Sequence, residues 1–246
     1  DIYVNDAFAD SHRPYASIIG IPAHLPSYAG LLFACEYDAL SQAFEPVHPA
    51  LFILGGAKFE TKLPLVERFA QTYDHIFIGG AIANDFFKAK GYEVGKSKVS
   101  DIDLSHSPLL DDEDIIVPSD VTVFGHEGRA VKQADAVLAD ESILDVGPQT
   151  LKDLAFLIAG VQTILWNGPL GDYEDGYDEA TKAVAQMIAS ADGKSVIGGG
   201  DTVAAIEALG LNDKFTFLST AGGAMLQFLE HGTLPGIEAL SHSPAS

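Results

Sequence analysis

Two lysines, an aspartate, a glutamate and a series of glycines give this 246-residue sequence its chemistry. In "SVIGGGDTVAAIEALG" an apolar run ends at three glycines, Gly198, Gly199 and Gly200, and is followed by Asp201, Thr202 and a helical pattern. Glycines let a backbone come close to an anion and aim its N–H groups at it. A helix starting near Asp201 adds the positive end of its dipole. A carboxylate beside a phosphate repels it unless a cation lies between, so Asp201 suggests a magnesium ion shared with phosphate oxygens. Taken alone, Asp201 reads equally well as an N-cap. Its context favours the phosphate. "LGGAKFETK" places Lys58 and Lys62 in another strand-end loop and on the first turn of its helix, and lysine is a point-charge binder of phosphate. "WNGPLGDYE" supplies a rigid turn, then Tyr173 and Glu174, and "STAGG" supplies a second glycine-rich helix start.

Two better-known phosphate motifs are near misses. "GYEVGKS" has one residue too few between its glycines for a Walker A loop and follows a helix rather than a strand; it reads as a C-cap glycine and a surface loop. "GGGDTV" has Val203 where the dinucleotide fingerprint needs its third glycine. The eight histidines show no metal-binding spacing such as H-E-x-x-H.

These loops have to be held by regular elements. "ALFILGG", "HIFIGG", "VQTILWNGP", "KSVIGGGD" and "FTFLSTAGG" read as buried strands, each followed by a helical pattern. "GPQTLKDLAFLIAG" is a further helix, and "DIIVPSDVTVFG" and "ADAVLAD" read as extended. Continuous apolar strands alternating with helices predict a parallel sheet covered on both faces. Right-handed crossovers bring the C-terminal ends of its strands to one edge, where ligands of open α/β sheets bind. "YAGLLFACEYDALSQAFE" (28–45) predicts a long helix, "IYVN" before it a strand, and "TLPGIEALSHSPAS" an irregular tail.

Hydrophobic residues make up 47% of the chain, enough for a large core. No run of 18 apolar residues predicts a membrane span, and the first ten residues lack the pattern of a signal peptide. Thirty-five acidic against fourteen basic residues give a formal charge of -21. With arginine limited to Arg13, Arg68 and Arg129, no basic stripe exists to neutralise a nucleic acid or to bind an acidic membrane surface. The single cysteine, Cys35, lies in an apolar stretch and reads as a buried, inert thiol in a reducing compartment.

Seven stretches, "YVNDAFADSHR", "LGGAKFETK", "IGGAIANDFFKAKGYEVGKS", "LDVGPQT", "WNGPLGDYE", "IGGGDT" and "STAGGAMLQFLEHGTLPG", stand in the order and with the wording of phosphoglycerate kinase motifs, and the sequence resembles that family over nearly its whole length. The resemblance implies a cytoplasmic glycolytic transferase that moves a phosphoryl group between 1,3-bisphosphoglycerate and ADP, giving 3-phosphoglycerate and ATP, with Mg2+ and without a phosphoenzyme. At matching positions it implies nucleotide phosphate and magnesium binding by Gly199, Gly200, Asp201 and Thr202, with Asp201 as the metal ligand. It implies that Lys62, with Lys58 close by, binds the nucleotide phosphate and stays with the moving group. Glu174 matches the acceptor of ribose hydroxyls, and Pro169, Gly56, Gly79 and Gly80 match walls of the adenine pocket. Gly222 and Gly223 match the helix start facing the transferred phosphoryl group, and Arg13 matches one of several arginines that hold 3-phosphoglycerate.

The implied fold is a Rossmann-like three-layer domain with a mostly parallel sheet (46–232), preceded by a remnant of a second α/β domain (1–27) and an interdomain helix (28–45), and followed by a tail (233–246). Family members begin with a whole substrate domain carrying most of the arginines, whereas this sequence starts near that domain's end, with no initial methionine. Thr61 replaces the usual aspartate of the lysine loop, and Ile143 stands where some members have glycine. The expectation is a chain that binds nucleotide, shows little turnover alone and self-associates through uncovered apolar surface. The alternative is a nucleotide-binding module without catalysis.

Overall fold

The structure, a computed structural model, describes residues 1–244. The chain folds as two compact units: Asp1–Pro46 together with the segment from Ser219 onward, and Val47–Leu218.

In the first unit, β1 (Tyr3–Asn5) pairs in parallel with β2 (Ser27–Ala29), with Val4 opposite Tyr28. Helix α1 (Leu31–Ser41) follows and ends in a 3-10 turn at Gln42–Phe44. The helix expected from residue 28 thus begins three residues later, because Ser27–Ala29 are drawn into the β1 ladder and Gly30 takes the N-cap.

The second unit opens with β3 (Ala50–Leu54), α2 (Leu63–Phe69), β4 (His75–Ile78), α3 (Ile82–Ala89) and β5 (Ile115–Ile116). Strands β6 (Asp120–Gly125), β7 (Gly128–Gln133) and β8 (Ser142–Val146) form a separate antiparallel sheet in the order β7-β6-β8. The unit continues through α4 (Pro148–Gly160), β9 (Thr163–Asn167), α5 (Glu179–Ala189), β10 (Lys194–Gly198), α6 (Gly200–Ala208) and β11 (Phe217–Leu218). The main sheet is wholly parallel in the order β5-β4-β3-β9-β10-β11. From β3 the chain steps outward through β4 to β5, then restarts at β9 beside β3 and steps outward the other way. This is the doubly wound order of Rossmann-like folds, and β3–β9 is its switch point.

The central strands have no solvent-facing side. Leu51 and Ile53 of β3 join Ile164 and Trp166 of β9 in a core with Leu154 and Ile158 of α4 and Val184 and Ile188 of α5. Phe52, pointing the opposite way by the two-residue period of a strand, meets Phe69 and Tyr73 at 5.1 and 6.0 Å between ring centroids. The three layers follow from this alternation.

Helices α7 (Gly223–His231) and α8 (Pro235–Ser241) belong to the first unit. Residues 219–232, expected in the nucleotide domain, are drawn there by aromatic packing: Phe228 of α7 touches Phe8, Tyr37 and Phe44 at 5.7, 5.5 and 5.4 Å. The expected irregular tail instead carries α8, started by Pro235 at its first turn; residues 245–246 lie outside the described ones. "ADAVLAD", expected to be extended, forms a 3-10 turn at Ala134–Ala136 and a loop, while the strands on either side of it, β7 and β8, do the pairing. Cys35 is exposed rather than buried, because α1 turns Phe33, Glu36 and Leu40 inward and Leu31, Leu32 and Cys35 outward. Among the described residues no helix is long and apolar enough to cross a membrane.

Candidate nucleotide site

The loops after β3, β4, β9 and β10 leave the same edge of the parallel sheet, and the first and third of them interlock at the switch point. Gly55 N donates to Asn167 O (2.9 Å) and Gly56 N to Pro169 O (2.8 Å). The β4 loop joins them through Gly80 N, which donates to Leu170 O (3.1 Å). A Cβ on Gly80 would stand 2.5 Å from Gly56 N and 2.9 Å from Pro169 O, and one on Gly79 would stand 2.7 Å from Leu170 Cδ2. Gly56, Gly79, Gly80 and Pro169 therefore form one tightly packed wall.

Lys62 reaches back into this wall. It sits just ahead of α2, its side chain is buried, and its Nζ donates to Gly55 O at 2.6 Å. A Cβ on Gly56 would come within 2.8 Å of that Nζ, and one on Gly168 within 2.9 Å, and both glycines have positive φ. Neither position admits a side chain, so the ammonium lies between two bare backbone segments. It takes part in none of the ion pairs among the described residues. Burial pulls its pKa down to about 8, with the charge of Asp201 acting in the opposite sense.

The β10 loop completes the arrangement. Gly199, at φ +102°, is the N-cap of α6, and a Cβ there would stand 3.2 Å from Gly168 N. Asp201 falls in the first turn, two residues past the cap, and is exposed. The N-cap alternative for Asp201 therefore drops out. Thr202 is buried and its Oγ1 has no hydrogen-bond partner. One exposed carboxylate and one unpaired hydroxyl beside a helix N-terminus suit a magnesium ion that arrives with phosphate oxygens, since that ion usually keeps one or two protein carboxylates and fills its shell from phosphate and water. Among the described residues no group of three or more His, Cys, Asp or Glu could hold a metal by itself.

The remaining candidates of this unit lie further out. Lys58 is exposed, and its carbonyl accepts from Thr61 Oγ1 at 3.0 Å, so the threonine found in place of aspartate closes the lysine turn. Glu174 is exposed in a 3-10 turn, Tyr173–Asp175. Trp166 is core, with Nε1 donating to Gly168 O at 2.9 Å. Sequence reasoning overlooked Asp145, at the end of β8. It is buried, accepts from Val146 N (2.9 Å) and Ala180 N (3.1 Å), and is pushed up to about 7 by burial.

Gly222, Gly223 and Arg13 belong to the other unit. Gly222, at φ +50°, caps α7. A Cβ on Gly223 would stand 3.6 Å from His12 Nε2, the atom that accepts from Arg13 Nε at 3.2 Å. Arg13 Nη1 also donates to Tyr15 Oη at 2.9 Å. His12, which has no role by sequence spacing, thus links Arg13 to the start of α7, and its Nδ1 is buried without a hydrogen-bond partner.

The family model for phosphoglycerate kinase matches residues 1–232. A phosphoglycerate kinase of Francisella tularensis subsp. tularensis is 42% identical over 253 residues, covering 98% of this chain and 64% of that protein. One from Coxiella burnetii is 41% identical over 254 residues, covering 98% and 65%. The solved structure of phosphoglycerate kinase from Coxiella burnetii superposes with a TM-score of 0.88 at 41% identity, over 98% of this chain and 66% of that one. That of Pyrococcus horikoshii OT3 gives 0.83 at 33% identity, over 98% and 64%. The chain spans about 64% of the length of the curated relatives it matches. With this sequence match and this doubly wound sheet, the chain belongs to the phosphoglycerate kinase family.

Proposed function

We propose that the chain binds ADP and ATP and serves the reversible transfer of a phosphoryl group between 1,3-bisphosphoglycerate and ADP, giving 3-phosphoglycerate and ATP, as a glycolytic enzyme of the cytoplasm. The observation that supports this best is Lys62, a buried ammonium at the switch point, flanked by glycines and without an ion-pair partner. A buried charge left in that state gains most from an incoming anion.

In this reading Lys62 holds a nucleotide phosphate and follows the transferring group, with Lys58 adding charge from the loop. The N–H groups of Gly199 and Gly200 and the free Oγ1 of Thr202 meet the phosphate oxygens at the start of α6. Asp201 would hold magnesium, which supplies positive charge against the nucleotide phosphates. Pro169, Gly56, Gly79 and Gly80 shape a bare wall for the adenine, and Glu174 accepts from the ribose hydroxyls. Arg13 holds 3-phosphoglycerate, and the N–H groups at Gly222 and Gly223 face the phosphoryl group in flight. A terminal oxygen of ADP bonds to phosphorus as the acyl P–O bond breaks, and 3-phosphoglycerate leaves as a carboxylate. The protein contributes alignment and charge, not a covalent intermediate.

Calorimetric titration with ADP, with and without magnesium, tests the reading. Asp201→Ala is expected to weaken binding about tenfold with magnesium and little without it. Equal loss in both conditions would remove the metal role from Asp201, and a wild-type chain that fails to bind ADP would overturn the proposal.

A further inference from the structure

The segment between β9 and α5 has two halves: Pro169 and Leu170 bond the β3 and β4 loops, whereas the half from Gly171 on, which carries Glu174, is tied to the antiparallel sheet. Asp172 N donates to Leu144 O of β8 at 2.8 Å. The carboxylate of Asp145, the next residue on that strand, accepts through Oδ2 from Ala180 N in the first turn of α5 at 3.1 Å. The same carboxylate closes on Gly171 so tightly that a Cβ there would meet Asp145 Cγ at 2.5 Å. From β7, Arg129 Nη1 bonds Glu179 Oε1 of α5 at 2.7 Å, and its guanidinium lies 5.4 Å from the ring centre of Tyr177. Both ends of residues 171–179 are thus tied to a sheet that contributes no strand to the phosphate-facing edge.

Strands β6, β7 and β8 therefore have a task beyond filling space. Accepting the nucleotide reading above, we infer that Asp145, supported by Arg129, is a positioning residue for the nucleoside part of the nucleotide: it sets residues 171–179, and so the placement of Glu174, whereas Gly168 and Pro169 are fixed by the β3 and β10 loops. Both oxygens of this carboxyl are engaged, Oδ1 accepting from Val146 N at 2.9 Å and Oδ2 from Ala180 N at 3.1 Å, so the group is fixed between β8 and α5. Gly171 is the one residue that lets that carboxylate approach the segment from the side. The phosphate group of residues, Lys62, Gly199 and Thr202, makes none of these contacts and is held by β3 and β10 instead.

The test compares the 246-residue chain with Asp145→Ala, Asp145→Asn and Gly171→Ala, each titrated with magnesium ADP and with magnesium pyrophosphate. Amide hydrogen exchange of residues 172–178 is followed in the free proteins. The Ala variants are expected to lose about tenfold in ADP affinity and less than about twofold for pyrophosphate, with Asp145→Asn lying between, because its amide keeps one acceptor oxygen. Exchange at Asp172, Gly176 and Tyr177 should quicken while β3 and β9 stay protected. Equal loss for both ligands would mean that Asp145 is merely structural, and unchanged ADP affinity in a folded variant would exclude any positioning role. Should Asp145→Ala not fold, Arg129→Met gives the same comparison. The exchange arm separates this inference from the reading beneath it. Quickened exchange in a chain that binds no ADP would sink the nucleotide reading and leave the tie intact, and unchanged exchange would sink the tie.

Discussion

Burial lowers the affinity of the Lys62 ammonium for its proton, and the consequence for the free protein has a definite sign. Its folded pKa, about 8, lies below the ordinary 10.5, so between those values the unfolded chain binds more protons and stability falls as pH drops through the window. Below pH 8 the cost is fully present, at about 3 kcal/mol by the usual conversion. Lys62→Met removes it and forgoes one hydrogen bond worth about 1 kcal/mol. The variant should therefore be more stable at pH 7 by about 2 kcal/mol in urea unfolding while losing ADP affinity. A destabilised variant would show that the bond to Gly55 O outweighs the buried charge. In the wild type at pH 8, ADP binding should take up about half a proton, seen by calorimetry in buffers of different ionisation enthalpy, because the phosphate restores the ammonium. Lys62 stood out in the sequence as a lysine in a glycine loop after a buried strand, and the structure places its ammonium among those glycines. His12 and Asp145 did not stand out: their partners, Gly223 for one and Gly171 and Ala180 for the other, lie far along the chain, and no local spacing encodes those meetings. Cys35 was misread for a related reason, since apolar neighbours in sequence do not say which of them a helix turns outward.

At the scale of elements, the parallel strands were readable because burial on both faces writes itself as an unbroken apolar run, as in Ala50–Leu54 and Thr163–Asn167. Strand β7, "GRAVKQ", alternates half-buried and exposed residues and carries two cations, and β8 is five residues with a buried aspartate, so neither announces itself that way. That aspartate sets up a pH effect between elements. Asp145 faces the Ala180 N–H and the Glu179 carboxylate from α5, the Arg129 guanidinium from β7 and the Val146 N–H of its own strand; burial dominates and raises it to about 7. The folded state then keeps a proton that the unfolded chain gives up near pH 4, so this group's contribution to stability is full below that pH and is lost as pH rises to 7. Asp145→Asn stays neutral throughout. Its stability relative to wild type should move in its favour by a few kcal/mol, on the order of 1.4 per unit of pKa shift, between pH 4 and pH 8. Urea unfolding of both proteins at each pH measures it. A constant difference would mean that Asp145 is ionised in the folded protein across the whole range.

For the molecule as a whole, charge and apolar surface act in opposite senses. The chain carries a formal charge of -21, and Arg13 is the sole Lys or Arg of its first unit. That unit also exposes large apolar side chains: Leu31 at 85%, Leu32 at 68%, Ile2 at 66% and Val4 at 50%, with Tyr28 opposite Val4 in the ladder. Its sheet has only β1 and β2 among the described residues, so both outer edges offer unpaired backbone groups, the arrangement that invites another strand. Apolar burial and edge pairing favour a second copy, whereas like net charge keeps copies apart over about 10 Å at moderate salt. Salt shortens the reach of the repulsion and leaves the apolar attraction in place. The chain is therefore expected to self-associate in a concentration-dependent way, and more strongly at about 0.5 M than at about 0.05 M sodium chloride, when followed by light scattering. Leu31→Ser with Leu32→Ser leaves the charge untouched and should reduce the association at both salt levels. Association that weakened with salt would instead point to attraction between charged groups. A monomer at every concentration and salt level would mean that this apolar surface and these strand edges do not drive association.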